Sequence, residues 1–319
     1  MKILSTIVAM FVSVGYGQSL QQQLGLVDIN GKNLYVEYTK PFGQKPTLIV
    51  VNGLTYSTRN WSASMKFLKQ KGYGVLLFDL QGMGTTLLSN SMPTSPILYR
   101  QQVADIKALV NKLKIKAPYN MVGLSYGGGI IAAYAAEFPK DIGNLILIAP
   151  YTEFLETQKN WIKDQIQNTR VAFPHNPASD EELTDYFIRQ LVYTTYPAAE
   201  ISSVENPWKL EGITRLVQGI RMYQPIHDAK KIPKRSLHLV LAEQDQYIPK
   251  AVFEKYWNAV PLSSRASRTK VRYSEHKLPE AFPRFVGQFI MGVLEGQPLL
   301  FKGETLEANP VTMEIKKVP

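Results

Sequence analysis

Asn120-Met121-Val122-Gly123-Leu124-Ser125-Tyr126-Gly127-Gly128-Gly129 decides how this chain is read. A strand signal ends at Val122, a serine follows between two glycines, and an Ala-rich helical stretch then runs from Ile130 to Phe138. This is G-x-S-x-G in the order strand, turn, helix. A turn that tight strains the serine backbone, and side chains two positions either side of it would collide with neighbouring backbone. The turn lifts the Ser125 hydroxyl above the sheet edge, over a helix N-terminus that supplies free N–H groups and partial positive charge. A Gly-rich turn that merely opens a helix is the bland alternative. The surrounding order of elements argues against it.

Outward from Ser125, strand and helix signals alternate. Upstream, Leu26–Ile29 and Leu34–Tyr38 flank the hairpin signal Asn30-Gly31. Thr47–Val51 and Gly74–Phe78 are short apolar runs that read as buried strands. Trp61, Met65 and Leu68, and then Val103, Ile106, Val110 and Leu113, mark helix faces between them. Downstream, Asn144–Ile148 is a further strand. Residues 151–232 carry helical signals only, one of them opened by the capping box Ser179-Asp180-Glu181-Glu182. Alternation then resumes with strands at Ser236–Leu241 and Thr269–Tyr273, a helix near Val252–Val260, and a last helix ending at Gly296. The expected fold is α/β, a mostly parallel doubly wound sheet with a helical cap inserted. The expected parts are 18–150 and 233–296 for the core, 151–232 for the cap, and 297–319 for a tail in which Val311, Met313 and Ile315 hint at an edge strand.

Composition narrows the chemistry. The 319 residues contain no cysteine and four histidines. That excludes a disulfide framework, a cysteine nucleophile and thiolate metal sites, and no cofactor or metal site is expected. An activated nucleophile therefore has to be oxygen, with one of four histidines as its base. His238 lies near the start of its strand, at the wrong end for chemistry gathered at the carboxyl edge, and reads as a core or edge residue. His175 falls in a proline-rich loop of the insertion and His227 in the returning connection, so both read as surface residues. His276 follows Thr269–Tyr273 and emerges at the right end.

With these motifs in place, the chain resembles the α/β-hydrolase superfamily, in particular its capped serine hydrolase (esterase/lipase-like) branch. The resemblance rests on Gly123–Gly127, Asn52-Gly53, Asp79 to Gly84, Asp245 to Pro249, and His276. It implies that Ser125 is the nucleophile, His276 the base and Asp245 the orienting acid. Glu243 and Glu153 are rivals for the acid's place. One oxyanion donor is the N–H of Tyr126, the residue after the nucleophile; by resemblance the second is that of Leu54. The chain departs from the family pattern at Asn52, where histidine is usual, and at Gln81, where arginine is common. Ala242 stands for a glycine, and Glu275 replaces a small residue before His276. Gln81 is expected to alter loop anchoring and not chemistry.

The implied function is hydrolysis of a carboxylic ester with a small or medium apolar substrate, because aromatic residues of the insertion would roof a pocket above Ser125. An amide or peptide hydrolase, an acyltransferase, or a non-catalytic binding protein on the same fold are the alternatives. In a chain of formal charge +10, two basic clusters stand out: Lys230, Lys231, Lys234 and Arg235, and Arg265, Arg268, Lys270 and Arg272. These clusters read as solvated faces near the starts of two strands, with at most weak contact with an anionic envelope surface and no nucleic-acid partner. Residues 1–17 have one lysine, an apolar run and small residues, the layout of a signal peptide. The protein is expected to be exported, to a periplasm or as a secreted protein.

Overall fold

A computed structural model describes residues 22–318. The expected signal peptide lies outside the described residues. Ten strands form one sheet: β1 (Gln22–Ile29), β2 (Lys32–Thr39), β3 (Thr47–Val51), β4 (Gly74–Phe78), β5 (Tyr119–Leu124), β6 (Ile142–Ile148), β7 (Leu237–Ala242), β8 (Arg265–Val271), β9 (Glu304–Ala308) and β10 (Ile315–Lys317). Their spatial order is β1-β2-β4-β3-β5-β6-β7-β8-β9-β10. Strands β4 to β9 run parallel, while antiparallel pairs close both ends of the sheet. Asn30 and Gly31, both at positive φ, make the β1–β2 turn.

The helices are α1 (Ser62–Gln70), α2 (Gly84–Leu88), α3 (Tyr99–Lys112), α4 (Tyr126–Glu137), α5 (Glu156–Ala172), α6 (Asp180–Thr195), α7 (Ala198–Ile201), α8 (Lys209–Met222), α9 (Lys250–Ala259), α10 (Leu278–Ala281) and α11 (Pro283–Leu294). β3 and β4 are sealed on both faces, which explains their apolar runs, and β5 between β3 and β6 is buried throughout. Helices α1 and α11 lie so close that a side chain at Gly287 would meet the Ser64 carbonyl at 2.8 Å. Helices α5 to α8 fill the expected insertion between β6 and β7, and no strand falls there. Ser179 Oγ accepts the Glu182 N–H and the Glu182 carboxylate accepts that of Ser179, so the capping box does start α6.

Three details differ from the sequence expectations. Strand β8 covers Arg265–Val271 and not 269–273, because its buried positions include Ser267 and Thr269, whose polar types interleaved with Arg268 and Lys270 hide the strand from an apolar pattern. Segment 297–319, expected to be a tail, contributes β9 and β10 to the sheet, with Leu306 and Ala308 fully buried. The second basic cluster does begin at the start of β8, but it is engaged within the fold: Lys270 pairs with Glu243 and Glu307 towards the far end of β8, and Arg265 and Arg268 both sit against the Trp257 ring.

Candidate active site

Ser125 stands between β5 and α4 with φ 52° and ψ −117°, a conformation that costs a non-glycine residue about 1–3 kcal/mol. The backbone holds it there. Its N–H donates to the Ile148 carbonyl at 2.9 Å, and its own carbonyl accepts the N–H groups of Gly129 at 3.1 Å and Tyr151 at 2.9 Å. The glycines are steric requirements. A Cβ at Gly123 would lie 2.4 Å from the Gly127 carbonyl oxygen, and one at Gly127 would lie 2.2 Å from that of Val51.

The loop after β3 reaches the same place. A Cβ on Gly53 would sit 3.4 Å from the Ser125 Cβ, so Leu54, the next residue, is beside the serine. Tyr126 opens α4, and its N–H is among those a helix leaves without an internal acceptor. Asn52 is fully buried and points away from the serine: its amide donates to the Phe78 carbonyl at 3.1 Å and to Asp79 at 3.3 Å. The departure from histidine thus supplies a strut between two loops. Gln81 likewise bonds Asp105 on α3 and anchors its loop, as expected.

On the other side, Asp245 follows β7. Its Oδ1 accepts the N–H groups of Tyr247 at 2.9 Å and Ile248 at 2.8 Å, which leaves Oδ2 to meet His276 Nδ1 at 2.8 Å. Both side chains are nearly fully buried. The rivals face elsewhere. Glu243 accepts the Tyr273 N–H and pairs with Lys270, and Glu153 pairs with Lys255 on α9. Ser125, Leu54 and Tyr247 line one cavity of about 40 Å³, and the Tyr247 ring packs edge-on against His276 at 5.0 Å. Among the described residues no hydrogen bond joins Ser125 Oγ to His276. Such bonds are often long before substrate arrives.

Residues 46–194 match the sequence model of the family described as alpha/beta hydrolase fold. The solved structure of MGS-M2, an alpha/beta hydrolase enzyme from a Medee basin deep-sea metagenome library, superposes with a TM-score of 0.63 over 86% of this chain and 98% of that one, at 18% identity. The chain has the α/β-hydrolase fold. A membrane phospholipase A described as a bacterial virulence factor shares the fold at a TM-score of 0.59 and 17% identity, covering 86% of each chain. Among curated sequences, the human monoacylglycerol lipase ABHD6 is 27% identical over 148 residues, 45% of this chain and 43% of the relative. The Xenopus laevis monoacylglycerol lipase abhd6-A is 30% identical over 136 residues, 42% of this chain and 39% of the relative. The chain thus spans less than half the length of these relatives.

In this α/β-hydrolase fold the insertion does roof the serine, through Leu155, Val192, Tyr196 and Val217. Few of its aromatic residues take part. Tyr151 and Tyr196 line the cavity, Trp161 packs on Phe187 at 6.0 Å, and Phe173, Tyr186 and Tyr193 are exposed. Sequence reading passed over Tyr247, which stacks on His276 and in turn meets Tyr196 of the cap at 5.5 Å. It also passed over Glu200, which accepts the Thr55 hydroxyl at 2.9 Å and pairs with Lys277. Glu200 lies in a short helix without a motif, and nothing in its neighbours along the chain marks it.

Proposed function

We propose that this chain is a cofactor-independent serine hydrolase that cleaves a carboxylic ester of a small or medium apolar substrate through an acyl-enzyme on Ser125. The Asp245–His276 hydrogen bond carries the reading. It occupies the carboxyl edge of the sheet beside the strained serine turn, and a core built only for stability gains little from that constellation. Ser125 Oγ attacks the acyl carbon while its proton passes to His276 Nε2. Asp245 holds the imidazole by Nδ1 and stabilises the imidazolium that forms. The N–H groups of Tyr126 and Leu54 receive the charge on the carbonyl oxygen. The ester C–O bond then breaks, the alcohol leaves with the proton from His276, and water repeats the cycle to release the acid.

The lipase names of the relatives support ester substrates at the level of the family. We also infer export, from the layout of residues 1–17. Ser125→Ala or His276→Ala is expected to lower ester turnover by on the order of 10³-fold or more without unfolding the protein. A fluorophosphonate should label Ser125 in folded wild type, and labelling should fall away in His276→Ala. Full ester hydrolysis by purified Ser125→Ala would overturn the assignment.

A further inference from the structure

The space at Ser125 is too small for an ester. A cavity of about 40 Å³ has room for a water or two, whereas small-molecule sites occupy roughly 300–1,000 Å³. A second cavity of about 400 Å³ lies immediately outside. The chain crosses from one to the other in a single step, since Leu54 lines the inner cavity and Thr55 the outer; Lys277, which lines the outer, directly follows His276, whose ring packs on Tyr247 of the inner lining. In the cap, Tyr196 lines the inner cavity and Glu200, four residues on, the outer. Between them runs one bridge. The Glu200 carboxylate accepts the Thr55 hydroxyl and pairs with Lys277, so a single cap residue grips both loops that flank the reaction. Lys277 and Glu200 are only 29% and 22% exposed, so solvent screens the pair incompletely. The outer cavity is also lined by Ser57, Asn60 and Lys209 and by Met83, Leu88 and Ile213, a surface of mixed polarity.

We propose that Glu200 determines which esters reach Ser125. Its bridge to Thr55 and Lys277 is the wall between the two cavities. Release of the bridge joins them into one site of substrate size, with the acyl carbon at Ser125 and the alcohol portion in the outer cavity. This rests on the assignment of Ser125 as nucleophile. It assigns the cap segment 196–201 as the moving part, because that segment contacts both loops that carry the acid and the base, the Asp245 loop through Tyr196 on Tyr247 and the His276 loop through Glu200 on Lys277.

The test compares wild type with Glu200→Ala and Lys277→Met, each checked for folding by circular dichroism. Two readouts are taken: amide hydrogen exchange across residues 196–201 and 274–278, and the rates of Ser125 labelling by diisopropyl fluorophosphate and by a fluorophosphonate on a long polyether chain. Both variants should exchange faster in both segments, and the long-to-short labelling ratio should rise about fivefold, the scale of one partly screened ion pair with its hydrogen bonds. In wild type, raising salt to about 1 M should move the ratio in the same direction. Unchanged exchange, or faster exchange with an unchanged ratio, overturns the gate; so does a salt-independent wild-type ratio if the variants do not fold. No labelling of wild type by either probe, with faster exchange in the variants, overturns the Ser125 assignment and leaves the gate standing.

Discussion

His238 and His276 are both buried imidazoles, and their neighbours give them different work. His238 sits within β7, its Nδ1 3.0 Å from Ser267 Oγ and its ring edge-on to Phe301. No carboxylate faces it, and burial pulls its pKa down to about 3. The unfolded chain takes up a proton near pH 6.5, but the folded chain does not until about pH 3, so stability is full above 6.5 and declines as pH falls through that interval. At pH 5 the loss from this residue alone should be about 2 kcal/mol. Urea unfolding of His238→Gln at pH 7 and pH 5 checks this: the variant should lose about 2 kcal/mol less than wild type between the two. His276 emerges beyond its strand and meets Asp245. The direction of the two strands separated these residues in the sequence. The Tyr247 ring that packs on His276 was not legible, because a stacking partner carries no spacing rule.

At the scale of elements, the loops around the serine are tied together by Asp79, just after β4. It is fully buried, and it accepts the N–H groups of Thr58 at 2.9 Å and Thr85 at 2.7 Å besides facing Asn52. Burial pushes its carboxyl up to about 6, against the opposing pull of those N–H groups. The folded state therefore holds the proton more tightly than the unfolded one, whose value is about 3.9. This contribution to stability is complete below about pH 4 and is lost as pH rises through about 6. The stability advantage of wild type over Asp79→Asn should accordingly shrink by about 2 kcal/mol between pH 4 and pH 7 in matched denaturation curves. The sequence marked Asp79 to Gly84 as a motif, and Asn52 as a departure, but not that the two bond each other. Element boundaries show the same limit. β3 and β4 were clear from short apolar runs, whereas β8 reads R-A-S-R-T-K-V and is paired on both sides by neighbours distant in the chain.

At the scale of the molecule, the sheet extends past the last helix that sequence periodicity could identify. β9 covers the edge of β8 with Leu306 and Ala308 buried. Truncation after Lys302 should open that edge and expose the core beneath Leu306, at a cost of about 3 kcal/mol, read as a lower melting temperature and increased aggregation. The helical cap and the gate belong to this scale too. Among the described residues no helix is long and apolar enough to cross a membrane.

The sequence by itself determined the alternating α/β order, the serine turn, the helical insertion, and the ranking of four histidines down to His276, with Asp245 its expected partner. Each of these depends on local periodicity or on position relative to a strand end, and short stretches of chain carry that information. Only the tertiary structure decided that Asp245 and not Glu243 or Glu153 meets His276, that Asn52 braces Asp79, that the tail joins the sheet, and that Glu200 bridges cap and core. Those contacts join residues up to 145 positions apart. Their geometry is set by how packed layers meet, and no local pattern encodes it.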